Sequence, residues 1–304
     1  MVGRRTVLAA ALGLATGCAH ARSEPAVPAA VGPASPSVAG SAAVAPPSPS
    51  VAGSAAVAPS PFGAVAPSPS GAVAPPSREE VVARYAGQRP TQWGTDLPGV
   101  VAEVPDGALA LTFDACGGPG GDGYDAALID TLRRHRVPAT LFLNARWIDA
   151  NPGPFGELAA DPLFELGNHG TAHRPLSVTG RSAYGITGTA DAEAAYREVA
   201  DNEAKLAGLL GKPPRWFRSG TAHYDDIAVR IVGELGERVA GFAVNGDGGA
   251  TFNASQVAQT VAAAPAGAVV ISHFNHPDAG TGPGYAQALP RLVDAGQRFV
   301  RLSD

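Results

Sequence analysis

The sequence has little of what usually classifies a chain at a glance. It holds two cysteines in 304 residues, which cannot make a disulfide framework. No stretch approaches the roughly 20 consecutive apolar residues that a membrane-spanning helix requires. Charged residues are 16% and aromatics 6%, against 45% hydrophobics. Much of that last figure is alanine, which buries little area, so the core is smaller than the fraction suggests. Positive charge is scarce as well. A net charge of −5 and a pI near 5.8 argue against a surface built for nucleic acid. Residues 117–121 are glycine-rich but lack the Gly-x-Gly-x-x-Gly spacing and carry Pro119, so dinucleotide binding is not expected. No Gly-x-Ser-x-Gly elbow is present, and the chain offers no marker of a serine nucleophile.

What is there begins with an address. Residues 1–18 have the parts of a secretory signal: Arg4 and Arg5, an apolar run over 7–15, then small residues up to Cys18. Arg4-Arg5-Thr6-Val7-Leu8 resembles a twin-arginine export signal, and Ala15-Thr16-Gly17-Cys18 resembles a bacterial lipobox. A lipid on Cys18 would tie the mature chain to the outer side of the cytoplasmic membrane or to an outer membrane. A plain cleaved signal would leave it secreted.

Residues 19–77 are almost entirely Ala, Pro, Ser, Val and Gly, with Arg22 and Glu24 as their only charges. The stretch 35–46 recurs letter for letter at 48–59. Such a segment has no large side chains with which to offset ordering entropy, and is expected to be a disordered tether with polyproline II character. At about 3.1 Å per residue, roughly 60 extended residues reach well beyond 100 Å, enough to carry a domain from a membrane into a surrounding wall.

Residues 78–304 hold most of the charge and read as one domain. Short apolar runs at 108–113, 139–143, 215–218, 239–244, 268–273 and 299–302, with a weaker one at 164–167, are strand candidates. Helical patterns at 124–134, 190–210, 225–237, 255–263 and 285–295 lie between them. Strands alternating with helices predict an α/β fold with a mainly parallel sheet of about seven strands, as a barrel or an open doubly wound sheet.

In such folds the residues just past the carboxyl ends of strands line the functional face. Asp114, then His169 and His173, Arg218, Asn245 and Asp247, and His273 all fall there. Two neutral imidazoles at i and i+4 can share one divalent cation, zinc most readily. Such a cation polarises a carbonyl and lowers the pKa of a bound water. A carboxylate such as Asp114 can take that water's proton, and His273 as imidazolium can protonate a leaving amine. Arg218 can hold Asp114 ionised, and Asp247 or Asn245 can orient His273. The set predicts metal-assisted hydrolysis of an amide or ester.

At this point the sequence resembles the polysaccharide deacetylases, the NodB homology domain of carbohydrate esterase family 4. The resemblance rests on Leu111-Thr112-Phe113-Asp114, Leu166-Gly167-Asn168-His169 through His173, Gly211-Lys212-Pro213-Pro214-Arg215-Trp216-Phe217-Arg218 and Val269-Val270-Ile271-Ser272-His273. Residues 137–143 are similar to the family's second strand. The resemblance implies a distorted (β/α) barrel, a divalent metal on His169 and His173, Asp114 as base, Arg218 as its brace and His273 as general acid. The implied substrate is an acetylated amino sugar in a polysaccharide.

The chain departs from the family's pattern in several places. Ala115 and then Cys116 follow Asp114, where the family places a second, metal-binding aspartate. The third ligand is then Asp114 itself, Cys116, another carboxylate, or none; Cys116 reads first as a small buried residue. Ser219-Gly220-Thr221 replaces the family's Pro-Pro-Tyr after the arginine, so an aromatic wall is gone, while backbone near Thr221 still offers an oxyanion donor. Thr221 and His223 are therefore candidates for substrate contact, and Trp147 and Trp216 are expected in the core. Two other functions stay open. One is deacylation of a different amide or an O-acetyl ester; the other is an inactive carbohydrate-binding wall protein, motivated by Ala115. No protein partner is legible.

Overall fold

The computed structural model describes residues 76–304. The export signal, Cys18 and all but the last two residues of the expected tether lie outside the described residues. In chain order the elements are α1 (Arg78–Tyr85), β1 (Trp93–Gly94), β2 (Val100–Val101), β3 (Ala110–Ala115), α2 (Ala126–His135), β4 (Ala139–Leu143), α3 (Ala145–Ala150), α4 (Pro152–Ala160), β5 (Phe164–Asn168), α5 (Ala192–Leu210), β6 (Trp216–Phe217), β7 (Tyr224–Asp225), α6 (Asp226–Glu234), β8 (Arg238–Ala240), β9 (Val244–Asn245), α7 (Ala254–Ala262), β10 (Val269–His273) and α8 (Thr281–Asp294).

Eight strands pair in the order β2-β8-β6-β5-β4-β3-β10-β9, and every pair is parallel. The sheet curls into a distorted (β/α) barrel with helices outside it. A separate antiparallel pair joins β1 to β7. Alternation along the strands sorts the residues, because successive side chains point to opposite faces. On β3, Leu111, Phe113 and Ala115 belong to the apolar cluster that also holds Leu128, Trp147 and Tyr285 of the covering helices. Ala110 joins Phe142, Trp216 and Leu302 in a smaller cluster inside the barrel. Above it, on the same face of β3, come Thr112 and Asp114. A fully buried Leu or Phe contributes about 1.5–3 kcal/mol, so these two layers fix the strand register on which the polar residues depend. Trp147 and Trp216 are both in the core.

Several short elements carry local signals. Ser77 caps α1 in a capping box with Glu80, and Asn253 does the same for α7 with Gln256. The apolar run at 239–244 becomes two strands, β8 and β9, because Gly241 sits against the backbone and side chains of 95–101, where a Cβ would lie 2.5 Å from Val100 Cγ1. The run at 299–302 makes only a single bridge, Leu109 to Phe299, since Arg301 turns back to pair with Asp304.

Candidate active site

The register of the central strands places the reacting groups. β10 pairs with β3 so that His273 lies beside Asp114, and β5 pairs with β6 through Asn168 and Phe217. The next residues along those two strands, His169 and Arg218, are therefore neighbours too.

Arg218 is fully buried. Its Nη1 donates to Asp114 Oδ1 at 2.8 Å and to Thr112 Oγ1 at 2.9 Å, and its Nη2 donates to the Gly241 carbonyl at 2.8 Å. The guanidinium carbon stands 4.3 Å from the centre of the Phe142 ring. Burial alone would raise the Asp114 carboxyl, but Arg218, with His169 and His273, outweighs it and holds the group below the usual carboxylate range. One oxygen of Asp114 is thus committed to Arg218. The other, Oδ2, lies 3.7 Å from His169 Nε2.

His273 is braced from behind. Its Nδ1 lies 3.1 and 3.2 Å from the two oxygens of Asp247, and its backbone N–H donates to Asp247 Oδ2 at 2.7 Å. A carboxylate only accepts, so Nδ1 carries the proton and Nε2 faces away from Asp247. Asp247 is fully buried and also accepts from Thr281 Oγ1 and the Gly249 N–H. Burial would lower the His273 imidazole, but Asp247, joined by Cys116, raises it well above the ordinary value. Asn245 instead accepts from the Gly248 N–H, so Asp247 is the residue that orients His273.

The third group is a cluster of donors. One ligand atom from each of Cys116, His169 and His173 lies within 4.8 Å of the other two. Cys116 Sγ is 3.8 Å from His169 Nε2, close to the roughly 3.5 Å that a sulfur and a nitrogen would keep on one tetrahedral zinc. His169 Nδ1 donates to the Arg218 carbonyl at 2.9 Å, which leaves the lone pair of Nε2 facing Cys116. His173 Nε2 is buried and has no hydrogen-bond partner, an orphan that a cation would satisfy. These three residues fit a divalent metal. Cys116 is only partly buried and keeps its sulfur on imidazoles, whereas Ala115 goes into the apolar core. Of the third ligands left open by the sequence, the thiol is the one the fold brings to both histidines.

Four residues missed by sequence reasoning hold this cluster. Asn144, at the carboxyl end of β4, donates to the carbonyls of His169 and Gly170 at 3.0 and 2.7 Å. The same strand-end rule would have found it. Glu198 accepts from the N–H groups of Ala172 at 3.0 Å and Arg174 at 3.1 Å, and burial pushes its carboxyl up. Its signal was a lone acid on the buried stripe of α5. Asn202 donates to Asn168 Oδ1 at 2.8 Å. Gly220 carries no sequence signal: a Cβ there would lie 2.3 Å from the His173 backbone.

Asp114, His173 and His273 line a cavity of about 340 Å³, together with Thr221, Phe242 and Ile271. Thr221 Oγ1 is buried without a partner. His223 stands beside this wall, its Nδ1 bonded to the Thr221 carbonyl at 2.8 Å. The constellation can hold a cation, accept a proton on Asp114 and deliver one from His273.

Comparison with known proteins shows what the chain is similar to. The family described as Polysaccharide deacetylase matches residues 102–240. No curated protein matches the sequence. Among solved structures, the fold is similar to BA3943, a CE4 family pseudoenzyme from Bacillus anthracis, with a TM-score of 0.55 and 20% identity over 66% of this chain and 65% of that one. It is similar to the peptidoglycan deacetylase PdaC from Bacillus subtilis, with a TM-score of 0.51 and 21% identity over 66% of this chain and 89% of that one. A family 4 carbohydrate esterase from Streptomyces lividans, in complex with acetate, gives a TM-score of 0.52 and 21% identity over 64% and 92% of the two chains. At these identities the likeness to the solved structures is one of fold.

Proposed function

We propose that this chain, which belongs to the polysaccharide deacetylase family, is an exported hydrolase that removes N-acetyl groups from amino sugars of cell-wall peptidoglycan. The observation that carries the activity is the meeting, at one cavity, of a buried carboxylate, an imidazole braced by a second carboxylate, and His173, one of three convergent metal donors with Cys116 and His169. The signal-like residues 1–18 and the long tether support the wall as the substrate's place, with Cys18 as the lipid anchor.

His169, His173 and Cys116 would hold the cation, and a thiolate with two imidazoles suits zinc. When bound, such an ion supplies Lewis acidity to the acetyl carbonyl and to a water beside it. Asp114 takes the water's proton on Oδ2, since Arg218 occupies Oδ1 and keeps the group ionised. The water oxygen adds to the acetyl carbon and the carbon–nitrogen bond breaks. His273 gives the proton on its Nε2 to the leaving nitrogen, while Asp247 stabilises the imidazolium. Phe242 and Ile271 offer apolar walls for the acetyl methyl. The rival reading is a binding-only wall protein, motivated by Ala115; Cys116 beside His169 and His173 supports the enzyme instead.

The test is acetate release by purified protein from N-acetylated oligosaccharides. The expected result is release that a chelator stops and zinc restores. Release from O-acetyl esters alone would make the protein an esterase. No release from any acetylated sugar, with zinc supplied, would overturn the enzymatic reading.

A further inference from the structure

Residues 183–186 form a two-residue hairpin at the mouth of the cavity. Ala183 and Ile186 exchange backbone hydrogen bonds at 3.1 and 2.9 Å. The central residues, Tyr184 and Gly185, have φ of 51° and 77°, the positive pair that marks a type I′ turn. Gly185 suits that conformation. Tyr184 does not: the first central position favours Asn, Asp or Gly, and an L side chain there meets its own backbone. An aromatic kept in a disfavoured conformation at a loop tip points to a use.

Where the ring stands suggests what that use is. Tyr184 is 80% exposed, and Ile186 on the same hairpin is also exposed. Both line the cavity that holds Asp114, His173 and His273. Behind Tyr184 the His223 ring stands edge-on at 5.2 Å, and Trp93 follows at 5.8 Å from His223. Arg181, from the same loop, caps Trp93 at 5.3 Å. Trp93 is anchored by the β1–β7 pairing. A row of rings therefore leads outward from the cavity, on the side where Ser219-Gly220-Thr221 offers no aromatic.

We infer that Tyr184 is the platform for a neighbouring sugar: the cavity takes the acetamido group of one pyranose, and the next ring along the polymer lays its apolar C–H face on the tyrosine. This rests on the deacetylase reading above. Aromatic rings grip pyranoses by the apolar contact they also make with one another, and a rigid side chain with two rotatable bonds loses little entropy in doing so. Tyr184 stands at the exposed edge of that cavity, so it is expected to hold a chain of sugars more than a single one.

The experiment compares wild type with Tyr184→Ala, Tyr184→Phe and Tyr184→Asn on N-acetylglucosamine and its tetramer. Tyr184→Asn removes the ring while keeping a residue that suits the turn, so it separates the ring from the loop's shape. The expected result is a KM for the tetramer raised about tenfold in the Ala and Asn variants, with kcat unchanged. Tyr184→Phe matches wild type, and the monomer is affected less than the tetramer by the Ala and Asn changes. Calorimetric binding of the tetramer to Asp114→Asn, with and without Tyr184→Ala, gives the same answer without turnover, the second change weakening binding about tenfold. An unchanged tetramer affinity, or equal losses for monomer and tetramer, overturns the platform. Tetramer binding that needs Tyr184 in a protein releasing no acetate would keep the platform and sink the deacetylase reading.

Discussion

Arg218→Met tests the polar heart of the barrel, because it removes a buried cation and leaves its partners in place. The substitution strips Asp114 Oδ1 and the Gly241 carbonyl of their donors and leaves a carboxylate sealed among Phe142 and the neighbouring strands. Removing one member of a buried pair costs about 3–5 kcal/mol. For a domain of this size each kcal/mol shifts Tm by about 2–4 °C, so a drop of roughly 6–20 °C is expected. The pH dependence carries more information. In the wild type the Asp114 pKa is depressed, so its contribution is present above the ordinary aspartate value of about 3.9 and is lost as pH falls through the folded value. In the variant the largest opposing charge is gone, burial is countered only by His169 and His273, and the pKa is expected to rise above about 3.9. Stability is then lost as pH rises from there through the new folded value. Urea unfolding of the metal-free protein from pH 4 to 7 should show the gap between wild type and variant widening upward, and Asp114→Asn added to Arg218→Met should recover part of the loss at pH 7. A loss below about 1 kcal/mol, or a gap that is flat with pH, would refute the reasoning.

Gly220→Ala should push the His173 backbone out of place, since a Cβ would lie 2.3 Å from it. Zinc affinity by chelator competition is expected to fall at least about tenfold with the circular dichroism spectrum unchanged, and an unaltered affinity would show that the loop gives way. Glu237 is buried, with Oε1 accepting from Asn168 and Oε2 unpartnered, and burial pushes its carboxyl well above the ordinary range. Its neutral form stabilises the fold below the ordinary glutamate value of about 4.3, and that contribution is lost as pH rises through the folded value. Glu237→Gln should therefore melt progressively higher than wild type between pH 5 and 8, and a constant difference would contradict this.

Much of the architecture was legible because it follows from two local rules. Apolar runs such as 268–273 and 139–143 with helical patterns between them specify a parallel sheet, and parallel strands put their carboxyl ends on one face. That is why Asp114, His169, Arg218, Asp247 and His273, scattered over 160 positions, could be taken together from the sequence. The unread part is what pattern does not encode. Cys116 lies beyond the end of β3, where alternation no longer says which way a side chain points. The pairings of β1 with β7 and of β2 with β8 are each only two residues long and leave no periodic signal. Tyr184 and Gly220 matter through close approach of segments far apart in sequence, Gly220 to His173 and Tyr184 to His223, and no spacing announces such contacts. Asn144 and the capping pair Ser77 and Glu80 did have signals, in the strand-end rule and in the Ser-x-x-Glu spacing.

The claim on which the chemistry depends is that Cys116 joins His169 and His173 on a single cation. Zinc-edge X-ray absorption on the purified protein tests it without recourse to turnover. One sulfur near about 2.3 Å and two imidazole nitrogens near about 2.0 Å, with the sulfur lost in Cys116→Ser, is the spectrum the site demands. A shell of oxygen and nitrogen alone, identical in wild type and variant, would mean that the thiol stands aside and that some other group completes the centre.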